Sequence, residues 1–248
     1  MLELAAVTHG YEEQSLKVLK DMKLSFNIVD KKELQRRYPM INSRAVKYGL
    51  FHKDGGMVWA SKAVGAISVL AQRKGAKIRS GVKVTAVLKD KSGVCGLKDS
   101  TGKRWEAESY VFMGGAWTPE LLKSYGIPLK VTRQEQLYLR PPINRGRYRP
   151  EHFPVFAALT EGFYGLPMHI HGFMKIGYHR SGPVGKPGSV EDDRLLTRSF
   201  EKKCRTFLKR YIPELASFTE MEGHTCYYDN TKDGDFIIDR LPSAHNSL

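Results

Sequence analysis

Several things are scarce or missing in this chain, and each narrows its chemistry. Cysteine occurs three times in 248 residues, as Cys95, Cys204 and Cys226, with no Cys-x-x-Cys pair. So sparse and odd a count argues for a reducing compartment and against a disulfide scaffold. No apolar run approaches the ~18 residues that a membrane-crossing helix needs. The opening Met1-Leu2-Glu3-Leu4-Ala5-Ala6-Val7 lacks the basic region of a secretory leader. The closing Asn246-Ser247-Leu248 lacks the basic middle residue of a peroxisomal Ser-Lys-Leu address. No histidine–cysteine set has zinc spacing. His169 and His171 could bind a metal in principle, but no third ligand accompanies them, so no metal is expected. A P-loop, a Gly-x-Ser-x-Gly elbow and a Gly-x-Gly-x-x-Gly turn after a strand are all missing.

What is present supports a folded, basic protein. Apolar residues make up 41% and aromatics 10%, enough for a real core. Lys plus Arg number 40 against 26 Asp plus Glu, a formal +14. The basic residues are dispersed, densest at Lys31-Lys32, Arg36-Arg37 and Arg145 to Arg149. That pattern reads as solvated surface, with an anionic ligand next and nucleic acid last.

Periodicity divides the chain into helices and strands. Residues 12 to 23 read as a helix through Leu16, Leu19 and Met22. Asp30 caps a short helix with Glu33 at the third position, which must end before Pro39. Tyr48 to His52 is strand-like. Ser61 caps a helix carrying Ala63, Ile67, Leu70 and Ala71 on one face, with Gly75 supplying its left-handed end. Strands are expected at 77–79 and 82–88. A hairpin follows, with arms at 93–97 and 104–107. Tyr110-Val111-Phe112-Met113 has the composition of a buried strand. Gly114-Gly115 breaks it, and Thr118-Pro119 opens a helix.

From Val131 onward, alternation and short runs at 131–140, 154–159, 163–166 and 173–178 predict an antiparallel sheet. Asp192 to Tyr211 follows as a long helix. Strands at 224–228 and 236–238 close the chain.

Three groups of residues could carry chemistry. Cys226, two residues from His224, is either a buried inert thiol or a nucleophile activated by nearby positive charge. Tyr164 and His179 are either satisfied sheet residues or donors and acceptors for a small polar ligand. Gly114 and Gly115, between strand and helix, suit a tight turn or close approach of a cofactor.

The run Cys226-Tyr227-Tyr228-Asp229-Asn230-Thr231-Lys232-Asp233-Gly234-Asp235-Phe236-Ile237-Ile238-Asp239 resembles the flavin-attachment segment of the sarcosine and pipecolate oxidase family. That segment is similar to Cys-Met-Tyr-Thr-x-Thr-x-Asp-x-x-Phe-Ile-Ile-Asp. Cys226, Tyr228, Thr231, Asp233 and Phe236 to Asp239 fall at matching places, whereas Tyr227 and Asp229 depart from them. Gly162-Phe163-Tyr164-Gly165-Leu166-Pro167 and Met174-Lys175-Ile176-Gly177-Tyr178-His179 resemble two further strands of that family. Glu33-Leu34-x-x-Arg37-Tyr38-Pro39 and Gly55-Gly56-Met57-Val58 extend the likeness over nearly the whole chain.

The resemblance implies an α+β, two-domain flavoprotein oxidase fold. Residues 1–56 and 128–228 would form a substrate domain built on a large antiparallel sheet. Residues 57–127 and 229–248 would form part of a Rossmann-like FAD-binding domain. It implies FAD bonded to Cys226, with Val84, Gly114, Gly115 and Trp117 meeting the cofactor. Tyr164, His179 and Tyr228 would line the substrate pocket.

The implied reaction oxidises the C–N bond of sarcosine, L-pipecolate or L-proline to an imine, with O2 reduced to H2O2. The implied setting is a peroxisome, or the cytoplasm for a piece without its address. The protein would be a monomer with no nucleic-acid or membrane partner. The family's Gly-rich strand–turn–helix is absent and little follows Asp239, so the expectation is a fragment inactive alone. The alternative is a non-catalytic truncated isoform or gene-model fragment, serving at most as an interaction module.

Overall fold

The computed structural model describes residues 1–91, 93–141, 145–188, 195–217, 221–242, 244, 246 and 247. The chain divides into two compact units. The first comprises Met1–Met57, Gln134–Gly182 and Asp193–Cys226; the second comprises Val58–Arg133, Pro183–Asp192 and Tyr227–Leu248.

The first unit is organised by one mixed sheet, of which residues 130–133 and 227–230 fall in the second unit. Its strands are β1 (Leu2–Ala5), β2 (Asn27–Val29), β3 (Tyr48–Phe51), β7 (Lys130–Leu139), β8 (Phe156–Ala158), β9 (Phe163–Leu166), β10 (Met174–Tyr178) and β11 (Met221–Asn230). They lie in the order β11-β7-β10-β9-β8-β1-β3-β2. β1 runs parallel to β8, while β1–β3, β2–β3, β8–β9, β9–β10 and β7–β10 are antiparallel. A parallel neighbour needs a long crossover. The more than one hundred residues between β1 and β8 provide it.

Alternation sorts the side chains of the central strands. Leu137, Leu139, Met174 and Ile176 point to one face and are fully buried. Helix α5 (Arg198–Tyr211) supplies the opposing layer through Phe200, Cys204, Phe207, Leu208 and Tyr211. Spacings of four, three, one and three place these on a single stripe. Phe207 stacks on Phe163 at 4.3 Å and on Tyr211 at 4.7 Å. Phe153 meets Phe156 edge-on at 5.8 Å. Burial pushes the Cys204 thiol up to about 12, so it is an inert core residue.

Two buried phenols in this core are satisfied by carboxylates. Tyr148 Oη donates to Glu214 at 2.6 Å, and Tyr211 Oη donates to Glu161 at 2.8 Å. Helix α1 is Tyr11–Asp21. Helix α2 (Lys31–Arg37) starts as its sequence dictates, with Asp30 accepting from Glu33 N at 2.8 Å.

The second unit holds a three-stranded sheet of β4 (Val84–Asp90), β5 (Gly93–Asp99) and β6 (Arg104–Trp105). Asp99 organises its turn. It accepts from Thr101 N and Oγ1, Lys103 N and Trp105 Nε1, and these bonds hold its carboxyl at about 2. A small core gathers Val94, Tyr110, Leu122, Leu241 and Ala244.

Helix α3 (Ala60–Arg73) begins after Trp59 with no side-chain cap, so Ser61 is not the capping residue. None of its residues is buried: Val64, Ile67 and Leu70 are 63, 65 and 54% exposed. Gly75 has φ +96° beyond its end. α4 (Thr118–Leu121) is a single turn.

Three expected strands do not form. Residues 77–79 and 236–238 are irregular. Tyr110 makes one bridge, to Ser247, and Met113 is 87% exposed. None of these segments joins a sheet among the described residues, and a strand without ladder partners has nothing to hold it extended. The expected helix at 192–211 starts at Arg198; positions 192–194 lie outside the described residues, and 195–197 are irregular.

Substituting Phe156→Ala is expected to cost about 3–5 kcal/mol of stability, as large-to-small core changes do. Ile67→Ala should change it by less than about 0.5 kcal/mol. Urea unfolding followed by circular dichroism measures both.

Candidate functional site

The face of the central strands turned away from α5 carries the polar residues. In the antiparallel registers, Lys175 lies opposite Tyr138 and Leu166, and Gly177 lies opposite Gln136 and Tyr164. Directly opposed residues share a face. Tyr164, Lys175, Gly177, Gln136 and Tyr138 are therefore neighbours. Cys226 joins them from β11, the strand beside β7.

Gly177 has a steric reason to be glycine. A Cβ there would lie 2.5 Å from Tyr164 Oη and closer still to Cζ. The phenol ring of Tyr164 thus lies flat across the backbone of β10. The Lys175 ammonium sits 5.5 Å from the centre of that ring, within cation–π range. Burial pulls the Lys175 ammonium below its ordinary range, and the charge of Cys226 acts against that pull. Burial also raises Tyr138, with Cys226 adding to the effect.

A hydrogen-bonded chain reaches the thiol. Tyr138 Oη donates to Gln136 Oε1 at 3.1 Å, and Gln136 Nε2 donates to Cys226 Sγ at 3.2 Å. Tyr138 also packs edge-on against Phe173 at 5.1 Å. Beyond it, Tyr138, Arg140, Phe173, Met221 and Glu222 line a cleft of about 420 Å³.

Of the residues expected from sequence, Cys226 and Tyr164 come together on this face. His179 follows β10 with the parity of Lys175 and Gly177, but it is exposed, and its backbone N–H bonds Gly162 O at 2.7 Å. Tyr228, two residues beyond Cys226 on β11, falls in the second unit.

Val84, Gly114, Gly115 and Trp117 also belong to the second unit. Val84 opens β4 opposite Asp99. Gly114 and Gly115 lead into a 3-10 turn ending at Trp117, with Gly115 at φ +52° and nothing within 4 Å of a Cβ there. Gly115 lines a second cleft of about 450 Å³ with Phe112, Asp229 and Phe236. One carboxylate oxygen of Asp229 is buried with no hydrogen-bond partner among the described residues, and burial raises its pKa. His169 and His171 lie in a turn, with ring centres 4.8 Å apart.

Sequence reasoning singled out neither Gln136 nor Tyr138, and gave Lys175 no role. The alternation through 131–140 carried the signal. Only the strand register tells which alternate residues meet the thiol.

A family described as "FAD dependent oxidoreductase" matches residues 2–247. The chain belongs to that family. Among curated relatives, the monomeric sarcosine oxidase of Streptomyces avermitilis is 28% identical over 243 residues, covering 94% of this chain and 61% of the relative. Human peroxisomal sarcosine oxidase is 28% identical over 254 residues, covering 95% and 62%. Escherichia coli N-methyl-L-tryptophan oxidase is 28% identical over 249 residues, covering 99% and 62%.

The chain spans about three fifths of the length of those relatives. A solved fructosyl peptide oxidase shares the fold at TM-score 0.84 and 21% identity, over 100% of this chain and 64% of that one. L-proline dehydrogenase from P. horikoshii does so at 0.82 and 17%, over 99% and 64%. The fold class expected from the sequence, α+β with a flavoprotein-oxidase architecture, is the fold of these neighbours.

Lys175 gives a pH test. Its native pKa is depressed, so between that value and the ordinary ~10.4 the unfolded chain binds the extra proton. Stability attributable to this group therefore rises with pH across that window. Lys175→Met is expected to be relatively more stable near pH 7, with the gap closing as pH approaches ~10. Urea midpoints of both proteins across that range check it.

Proposed function

We propose that this chain is part of a flavin-dependent oxidase that removes a hydride equivalent from the carbon beside the nitrogen of a small secondary amino acid. Cys226 Sγ is the point of flavin attachment. The observation that carries this reading is a single sheet face bearing a cysteine with an N–H donor, a half-buried cation and two phenols.

The residues fit the ring side of such a cofactor. The thiol is half-buried rather than sealed in the core, unlike Cys204. Lys175 places positive charge where a ring or its substrate gathers negative charge. In the second unit, the open space at Gly115 and the unpartnered oxygen of Asp229 suit a ligand that brings N–H or O–H donors. We assign the first unit to the substrate side and the second to the cofactor side.

The flavin, when bound, supplies the two-electron acceptor and passes electrons to O2. The protein's own work is positioning. Tyr164 lies over Gly177 and presents its hydroxyl on the sheet face. His179, at the end of β10, and Tyr228, on β11, offer further hydrogen-bonding groups to a carboxylate or amine. Sarcosine, L-pipecolate and L-proline are the substrates proposed. The first is supported by the names of two relatives, and the third by the name of a structural neighbour. A peroxisomal location is supported by the name of the human relative. Among the described residues, no helix is long and apolar enough to cross a membrane.

A second reading, in which the 248-residue chain has no oxidase activity alone, is favoured by α3, whose apolar positions are all exposed or half-exposed. Both readings meet one experiment. The chain alone, incubated with FAD, is expected to stay colourless and to make no peroxide from sarcosine. A chimera is then built with this chain between the flanking parts of the Streptomyces avermitilis relative. It is expected to carry flavin fluorescence through a denaturing gel and to lose that fluorescence on Cys226→Ala. A fluorescent Cys226→Ala band overturns the attachment site. Peroxide from the chain alone overturns the second reading.

A further inference from the structure

We infer that Gln136, locked by Tyr138, is a positioning residue that aims the Cys226 sulfur and favours its thiolate. This rests on the reading of Cys226 as the flavin-attachment nucleophile and extends it to residues outside the attachment segment.

The argument begins with amide orientation. A glutamine side chain ends in one acceptor and one donor group of nearly the same shape. A thiolate accepts an N–H bond well, and a carbonyl oxygen turned toward it repels it. Here the hydroxyl of Tyr138 donates to Gln136 Oε1 at 3.1 Å, an arrangement that leaves Nε2 facing Sγ at 3.2 Å. The ring of Tyr138 is itself held edge-on against Phe173 at 5.1 Å. Three residues in series thus fix one N–H on the sulfur.

Charge acts in the same direction. Lys175 lies opposite Tyr138 on β10 and interacts electrostatically with Cys226. An N–H donor together with a cation favours a thiolate, the form that attacks electrophiles. The other charged or titratable groups with the parity of this face are the Tyr138 phenol and the Arg140 guanidinium on β7, the latter favouring a thiolate, and Glu222, His224 and Tyr228 on the strand of Cys226. Of these, Glu222 opposes the thiolate and a protonated His224 supports it. Gln136 is neutral, so its effect comes only through where its N–H points, which a structural filler would not provide.

The test uses the full 248-residue chain and needs no bound flavin. Iodoacetamide alkylates the protein at pH 7 and pH 9, and peptide mass spectrometry follows the Cys226 peptide separately from Cys95 and Cys204. The ratio of the two rates reports thiolate stabilisation, because a change in accessibility alters both rates alike. Gln136→Glu is expected to lower the pH 7 to pH 9 ratio about fivefold, as a one-unit upward shift centred between those two pH values would. Gln136→Leu should lower it about threefold. Tyr138→Phe, which keeps the ring and frees the amide to turn, should fall between the wild type and Gln136→Leu. Circular dichroism identifies any variant that fails to fold, and the remaining variants then decide. Ratios unchanged in the folded variants overturn the proposal, whatever the flavin does. Altered ratios in a chain whose chimera never retains flavin uphold the positioning role and reject only the attachment reading.

Discussion

The two-residue alternation of β7 and β10 is the constraint from which the rest of the first unit follows. Leu137, Leu139, Met174 and Ile176 are fully buried on one side. Their partners Gln136, Tyr138, Lys175 and Gly177 must then stand together on the other. A slip of one residue in either strand would put an ammonium and an amide into the phenylalanine cluster under α5, and the aliphatic residues against the thiol. Core and candidate site are two readings of one register. The apolar side fixes it energetically, and the polar side inherits its geometry.

Individual elements of this unit were legible in the sequence, though their pairing was not. The run Phe163-Tyr164-Gly165-Leu166 became β9 with those bounds, and Asp30 capped α2 through Glu33. Both are local signals, set by alternation and by a carboxylate with an N–H in reach. Cys226 and Tyr164 came from a resemblance and do share a face. Gln136 and Lys175 were missed because residues so far apart in the chain meet only through strand pairing. Composition cannot state which strands pair.

The second unit shows the opposite failure. Tyr110 to Met113 and Phe236 to Ile238 have the composition of buried strands, yet Met113 and Phe236 are largely exposed. Reading composition as burial assumes a partner that the described residues do not supply. Ser61 was misread as a cap for a simpler reason. A serine near a helix start caps only when its backbone is still extended there, and α3 has already begun at Ala60.

Glycine at 177 has a consequence for how this surface can change. Any side chain at that point would meet the phenol of Tyr164, so the two positions are tied. A larger residue at 177 becomes tolerable only after the ring at 164 has gone, and a chain that loses the ring first exposes bare β10 backbone beside Lys175. Remodelling this face for a bulkier ligand therefore has an order, with position 164 changing before 177.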